Sequence, residues 1–350
     1  MTTGQSSHTA KRKRTEDDNQ GDRTGATASR PQVTRCEDLW FQDGNVVLQA
    51  ENVQFRVHRG VISRHSSVMS DVFSVPQPAD SGEAQVDGCP VMVMQDLSMD
   101  WEELLRYIYD GAATRKGEPP SFRLVAAMLR LGHKYEFESF KQQGLDQFSR
   151  LFPASPTQFV EATEHQARWL ASSTDSSICD AINLALDLKL QRTLPALLFV
   201  ATTERYYPKI VKDGSVSQSN KITKLPNEVA LTLMSARERA YEGVMNHIYL
   251  HLLGIGTDTL PARSCLQRRT CPATVSSLRH FVIKPPFKMS CSFAYDLKKV
   301  CSDGFCSDCI RVGFSKVEEG RQKVWEELPA YFDLPPWDNL KNFDFSYFTH

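Results

Sequence analysis

Apolar and polar positions change period several times along the chain, and each change marks an element. Asn45 to Ala50 alternates loosely around Val46, Val47 and Leu48, and Phe55 to Val57 repeats the pattern; a short strand pair is expected, with Asp43-Gly44 as a turn. From Arg59 to Phe73 the period lengthens. Val61, Ile62, Val68, Met69, Val72 and Phe73 recur at helical spacing, broken near Ser66, whose hydroxyl suits an N-cap. Val75 to Gly88 is a Pro/Gly/Asp-rich loop, and Pro90 to Met94 reads as another strand. Ser98 or Asp100 then caps a helix whose inward face is Trp101, Leu104, Leu105 and Ile108, with Gly111 as its stop. After Pro119-Pro120, a helix pair is expected from one face of Phe122, Val125, Ala126 and Leu129 and another of Phe140, Leu145, Phe148 and Leu151.

Beyond Pro153 and Pro156 the period stays helical, through Phe159, Ala162 and Trp169 and then Ile178, Ile182, Ala185 and Leu188. Lys212 to Lys224 is polar and reads as an exposed loop. Pro226 opens a long helical run to Leu253, with Ala230, Leu233, Met234, Tyr241, Val244, Ile248 and Leu252 on one broad face and Gly254 as the stop. The last hundred residues show little periodicity apart from a helix expected over Glu318 to Leu328. An aromatic tail follows, around Tyr331, Phe332, Trp337, Phe343, Phe345, Tyr347 and Phe348. No internal repeat has a fixed spacing, so a solenoid is not supported.

Composition changes this picture mainly at the N-terminus. Residues up to about Pro31 almost lack large apolar side chains and cannot offset the entropy of ordering, so a disordered tail is expected. Within it, Lys11-Arg12-Lys13-Arg14 is a compact basic cluster of the kind a nuclear-import receptor reads, which points to the nucleus, or to nucleus and cytoplasm. The alternative is a solvated charge run. Elsewhere, 41% hydrophobic and 24% charged residues are ordinary for globular domains. A formal charge of -1 gives no global reason for nucleic-acid or anionic-membrane binding. Neither a secretory h-region nor a run of ~18 apolar residues occurs, so the chain is expected to stay inside the cell, with no membrane partner and its nine cysteines mostly reduced.

The stretch Asp38-Leu-Trp-Phe-Gln-Asp-Gly-Asn-Val-Val-Leu-Gln-Ala-Glu51, followed by Phe55-Arg-Val-His58 and the run to Ser66 and Phe73, resembles a BTB/POZ domain. The later Leu104-Leu-Arg-Tyr-Ile-Tyr-Asp-Gly111 is similar to that family's helix ending in a Tyr-x-Gly turn. A closer resemblance, over most of the chain, is to BTB proteins of mushroom-forming fungi. It rests on Trp40-Phe-x-Asp-Gly-Asn, Val75-Pro-Gln-Pro, Gly88-Cys-Pro90, Gly320-Arg-x-x-x-Trp325-x-x-Leu-Pro329 and Leu334-Pro-Pro-Trp337. The resemblance implies a compact cluster of short strands and helices that homodimerises, pairs with other proteins, or docks a cullin-type ubiquitin-ligase scaffold. Cullin-binding members often carry a hydrophobic-any-Glu triplet after the helix that here ends near Phe73. None occurs between Ser74 and Gly88, which counts against the cullin adaptor.

For chemistry, His58 and Asp43 would draw a catalytic reading, but in such a fold a histidine at this step joins strand to helix by hydrogen bonding. Trp40 and Phe41 are expected to be core or dimer-face aromatics. Six cysteines fall in the last hundred residues. Cys301-x4-Cys306-x2-Cys309, with Cys291, Cys271, Cys265 and His280 upstream, is the zinc candidate; against it, only one close pair exists, and reduced thiols packed as small hydrophobes are the alternative. Phosphate-loop, zincin and nucleophile-elbow motifs are absent, and Gly254-Ile-Gly256 lacks the rest of a dinucleotide fingerprint. Arg263, Arg268, Arg269, Lys284 and Lys288 are too sparse to imply nucleic acid.

The expectation is therefore an α+β protein: a disordered basic tail over 1–35, a BTB/POZ domain of short strands and a helical cluster over 36–152, a helical region over 153–255, and a Cys- and aromatic-rich segment over 256–350. It is expected to act as a protein-binding adaptor, with a homodimer among its arrangements, and not as an enzyme. No catalytic, cofactor-binding or metal-binding residue is assigned, and no cofactor is expected. Two alternatives stay open: a substrate adaptor of a cullin-type ligase, and a transcription-associated regulator with a zinc-binding C-terminal segment.

Overall fold

Four of the seven buried residues from Val46 to Val57 belong to one strand, and that strand organises the sheet. In the computed structural model, which describes residues 32–345 except 76–83, 112–119, 173–177, 204–205, 217–221, 257–258, 284–291 and 294–303, β2 (Val46–Ala50) lies at the sheet centre. The basic tail with Lys11 to Arg14, Lys284, Lys288, Cys291, Cys301, Tyr347 and Phe348 lie outside the described residues. Strand β2 pairs antiparallel with β3 (Val53–Val57), Val46 opposite Val57, and parallel with β5 (Cys89–Met94), Val47 opposite Val91. A strand with neighbours on both edges and helices on its faces is apolar almost throughout, which is why Val46, Val47, Leu48 and Ala50 are all buried. The edges are β1 (Thr34–Trp40) and the two-residue β4 (Gln85–Val86), giving the order β1-β3-β2-β5-β4. Periodicity does not reveal β1, because Arg35, Glu37 and Asp38 are exposed on this edge and only Leu39 is buried.

Helices α1 (Arg59–Ser63) and α2 (Ser67–Ser74) break where expected. The Ser66 hydroxyl accepts the Met69 N–H at 3.0 Å and donates to the Tyr135 carbonyl at 2.5 Å. Helix α3 (Ser98–Asp110) departs from expectation at its start, where neither Ser98 nor Asp100 is the cap. The N-cap position is Leu97, and the Glu51 carboxylate, from the β2–β3 turn, accepts the Ser98 N–H at 2.9 Å and its hydroxyl at 2.7 Å. Those two bonds hold the Glu51 carboxyl below its ordinary pKa. Asp100 is instead buried and ion-paired with Arg130 at 3.2 Å. Leu39, Leu48, Phe55, Ile62, Trp101 and Leu104 form the first core together with Leu131 and Phe137 from the next helices.

Helices α4 (Phe122–Lys134) and α5 (Glu138–Leu151) turn their other faces, Val125, Leu129, Phe148 and Phe152, into a second core that continues to Phe332. It is built by α6 (Pro156–Ser172), α7 (Ile178–Asp187), α8 (Leu194–Thr202), α9 (Tyr207–Asp213), α10 (Asn227–Val244), α11 (Leu250–Leu252), α12 (Thr270–Ile283) and α13 (Ser307–Tyr331). Every residue of α8 is buried. The polar stretch expected to be a loop carries a small hairpin, β6 (Ser215–Val216) with β7 (Ile222–Thr223). The broad face expected on α10 is a narrower stripe, Leu233, Ala236, Ala240 and Val244, and Met234 and Tyr241 are exposed. A π-helical turn at Met245–Tyr249 links α10 to α11. Helix α13 starts at Ser307, earlier than the expected Glu318: Ile310, Val312 and Phe314 in its first turns are only partly buried, so no regular apolar stripe announces them.

Two glycines allow α10 and α13 to cross closely. A Cβ at Gly320 would collide with the His247 carbonyl oxygen, and one at Gly243 with the Tyr331 hydroxyl. Beside the crossing, Trp325 donates to the Ala154 carbonyl at 2.9 Å and stacks on Trp337 at 5.5 Å. The tail then returns to the first unit. Phe343 N–H donates to the Lys189 carbonyl at 2.9 Å, and the Phe343 and Phe345 rings stack on His133 of α4 at 5.1 and 5.2 Å.

Gly320→Ala is expected to destabilise the chain by about 1–3 kcal/mol, the range for overpacking a filled interior, read from urea unfolding followed by tryptophan fluorescence. His65, His133 and His251 all have pKa values lowered, first by burial. The unfolded chain protonates these groups more readily, so their contribution to stability is full above about pH 6.5 and is lost as the pH falls through their lower folded values. Urea midpoints should therefore drop between neutral and mildly acidic pH, and His133→Gln should make that drop shallower.

Candidate interaction domain and metal centre

His58 is the residue on which the first unit turns from strand to helix. It follows β3 and precedes α1, and its backbone N–H donates to the Tyr109 hydroxyl at 3.0 Å while Nδ1 lies 3.1 Å from the same oxygen. Nε2 is 3.2 Å from the Asp43 carboxylate, which is almost fully exposed. Phe41 stacks on Tyr109 at 4.4 Å. Burial raises the Tyr109 pKa. Every polar atom of the imidazole thus has a structural partner, and the half-buried ring joins strand to helix as its position implies. Trp40 is half-buried, with the Arg35 guanidinium 4.4 Å from its ring centroid. A second polar knot secures the β5–α3 turn to the end of α4: Asp96 accepts from Lys134 Nζ and from the Tyr135 hydroxyl, both at 2.6 Å.

The second cluster is far along the chain. The Sγ atoms of Cys265, Cys271, Cys306 and Cys309 all lie within 4.8 Å of one another. Cys271 stands in the first turn of α12, Cys306 is the residue before α13, and Cys309 is in the first turn of α13. Cys265 is half-buried and the other three are buried. Backbone N–H groups point at the sulfurs: Ala262 to Cys309 at 3.3 Å, Leu266 to Cys306 at 3.4 Å, and Cys306 to Cys271 at 3.3 Å. The Cys309 N–H brings the Cys306 pKa down to about 6, while burial pushes Cys309 and Cys271 up. Four thiols at this separation can ligate one tetrahedral ion.

The zinc candidates weighed in the sequence include all four of these thiols. Cys306 and Cys309 meet Cys265 and Cys271; Cys301 and Cys291 lie outside the described residues, and His280 is exposed on α12. The five residues between Cys265 and Cys271 are too many for a short ligand pair, so spacing alone offered these two only as upstream candidates and did not single them out. The signal that could have found it is the placement of three cysteines at or beside helix starts, where N–H groups are unpartnered.

The family model of the BTB/POZ domain matches residues 39–149, which take in the end of β1, the other four strands of the sheet, α1 to α4 and most of α5. Residues 39–149 form a BTB/POZ domain. No curated protein matches the chain. BTB/POZ domains are characteristically non-catalytic adaptor modules. In this one β1 stands at the end of the sheet order, with Arg35, Glu37 and Asp38 exposed along it. Val93, Leu97 and Met99 are 61, 46 and 44% exposed from the end of β5 to the start of α3. Among the described residues no helix is long and apolar enough to cross a membrane.

Tyr109→Phe removes the hydroxyl that the His58 backbone N–H and Nδ1 both address. A cost of about 1–3 kcal/mol is expected from the orphaned, partly buried His58 N–H, measured by chemical denaturation against the wild-type chain.

Proposed function

We propose that the chain is a nuclear or nucleocytoplasmic adaptor that works by binding proteins, its BTB/POZ domain self-associating or recruiting a partner and its helical region presenting a second surface. The observation that carries this reading is the BTB/POZ domain itself, with exposed Val93, Leu97 and Met99 on its surface. A homodimer is the first arrangement to test. The basic cluster Lys11 to Arg14 supports nuclear import.

A second reading, a transcription-associated regulator with a zinc-binding C-terminal segment, is favoured by the four-thiol cluster. Exposed Arg263, Arg268 and Arg269 beside it would supply DNA contacts, and this reading requires DNA binding that weakens steeply with salt. A cullin-ligase adaptor, which lacks the expected triplet, requires co-purification with a cullin.

Light scattering on the full-length chain across a range of concentrations should give a dimer mass; a monomer at every concentration moves the search to hetero-partners. Replacing Lys11 to Arg14 with alanine in a fluorescent fusion should shift the protein from nucleus to cytoplasm, and an unchanged distribution removes the import reading.

A further inference from the structure

We propose that Cys265, Cys271, Cys306 and Cys309 bind one zinc ion as a tetrathiolate that staples the Pro261–Thr270 segment to the first turns of α12 and α13. The geometry is that of a single ion. Four sulfurs each about 2.3 Å from a tetrahedral zinc stand about 3.8 Å apart, and Cys306 Sγ lies 3.9 Å from Cys265 Sγ. An iron–sulfur cluster would spread its ligating sulfurs further, because bridging sulfides lie between its irons.

Two further observations point to a bound cation. Three backbone N–H groups, those of Ala262, Leu266 and Cys306, are directed at sulfur, a weak acceptor as a thiol and a much better one as a thiolate. The segment that carries Cys265 is also thinly packed: from Pro261 to Thr270 only Ala262 is buried, and Leu266 is 72% exposed. Hydrophobic burial alone holds this segment weakly against α12 and α13, the situation in which small folded segments recruit a metal. On binding, the zinc ion replaces the four thiol protons, which leave to solvent, so no oxidant or reductant is involved.

The site is independent of the BTB core and of self-association, so the two readings fail separately. It supplies the metal that the regulator reading needs but does not require DNA binding.

The test is metal analysis of the full-length chain purified without added metal or chelator, together with cobalt substitution. One zinc per chain is expected, released in step with mercurial titration of four thiols, and the cobalt form should show the intense visible absorption of a tetrahedral thiolate set. Cys309→Ser and Cys265→Ser should each lose most of the zinc and weaken the cobalt spectrum, whereas Cys89→Ser, Cys179→Ser and Cys301→Ser should retain both. If a serine variant fails to fold, titration of the wild-type chain still decides. Metal-free protein with four reactive thiols, a disulfide between any two of the four, stoichiometric iron in place of zinc, or zinc loss in Cys301→Ser with retention in Cys265→Ser would each overturn the assignment. A chain that binds zinc but stays monomeric would leave it standing and count against self-association.

Discussion

The structure depends on one buried indole, Trp325, and on the requirement that its N–H be satisfied. Trp325 is 2% exposed, so an unpaired donor there would carry a desolvation cost; the donor finds the Ala154 carbonyl just past the end of the BTB/POZ domain. Around the ring, Phe159 from α6 and Phe293 lie 5.0 and 5.7 Å away, and Trp337 stacks on it and returns its own N–H to the Trp325 carbonyl at 2.7 Å. One side chain thereby fixes α13 against α6, sets where the C-terminal tail turns, and ties the helical region to the chain leaving α5. Arg321, one turn earlier on α13, is buried beside it, and its guanidinium donates to the Ser292 carbonyl at 2.9 Å. The buried charge is tolerated because its donors are used, including an ion pair with Glu318 at 2.6 Å.

This arrangement makes the BTB/POZ helices part of two cores. Helix α4 turns Leu124, Met128 and Leu131 toward the sheet and Val125, Ala126 and Leu129 toward the helical region. A helix apolar on both sides leaves little surface for solvent, which accounts for the near-continuous burial of Phe122 to Gly132 apart from Arg123 and Arg130. The aromatic tail adds a third tie by stacking on His133 at the end of the same helix. Little of α4 is therefore left exposed, whereas Val93, Leu97 and Met99 remain exposed from the end of β5 to the start of α3.

How much of this was legible depends on where each interaction lies along the chain. Strands β2, β3 and β5, the break at Ser66 and the inward face of α3 follow from local period, because burial there repeats every two or every three to four residues. Strand β1 does not, since an edge strand buries one residue and shows charge elsewhere. The α3 cap is equally invisible. Ser98 has the right chemistry, but Glu51, 47 residues earlier, takes its N–H, and a tertiary partner outcompetes the local one. Met234 and Tyr241 fit the helical period of α10, yet α13 approaches only along the small residues that Gly243 and Gly320 make possible, so the outer apolar positions are left exposed.

The cysteines show the limit most clearly. Sequence spacing favours ligands close together, and Cys301, Cys306 and Cys309 are the closest set. Distance in space is set instead by the helices that carry the thiols. Helix α12 and helix α13 bring their N-terminal ends to one point, and Thr274 fastens them there by donating to the Gly304 carbonyl at 2.9 Å, two residues before Cys306. A side chain at Gly304, whose φ is +86°, would strike the Thr274 hydroxyl, so the chain can enter α13 at this angle only with glycine at that position. The approach of the two helix ends, and not the number of residues between cysteines, decides which thiols can share an ion. That approach is a property of the second core, which includes Cys271, Val275 and Leu278 of α12 as well as Val317 and Val324 of α13. Folding of the apolar core and assembly of the thiol site are thus the same event seen from two sides of α13.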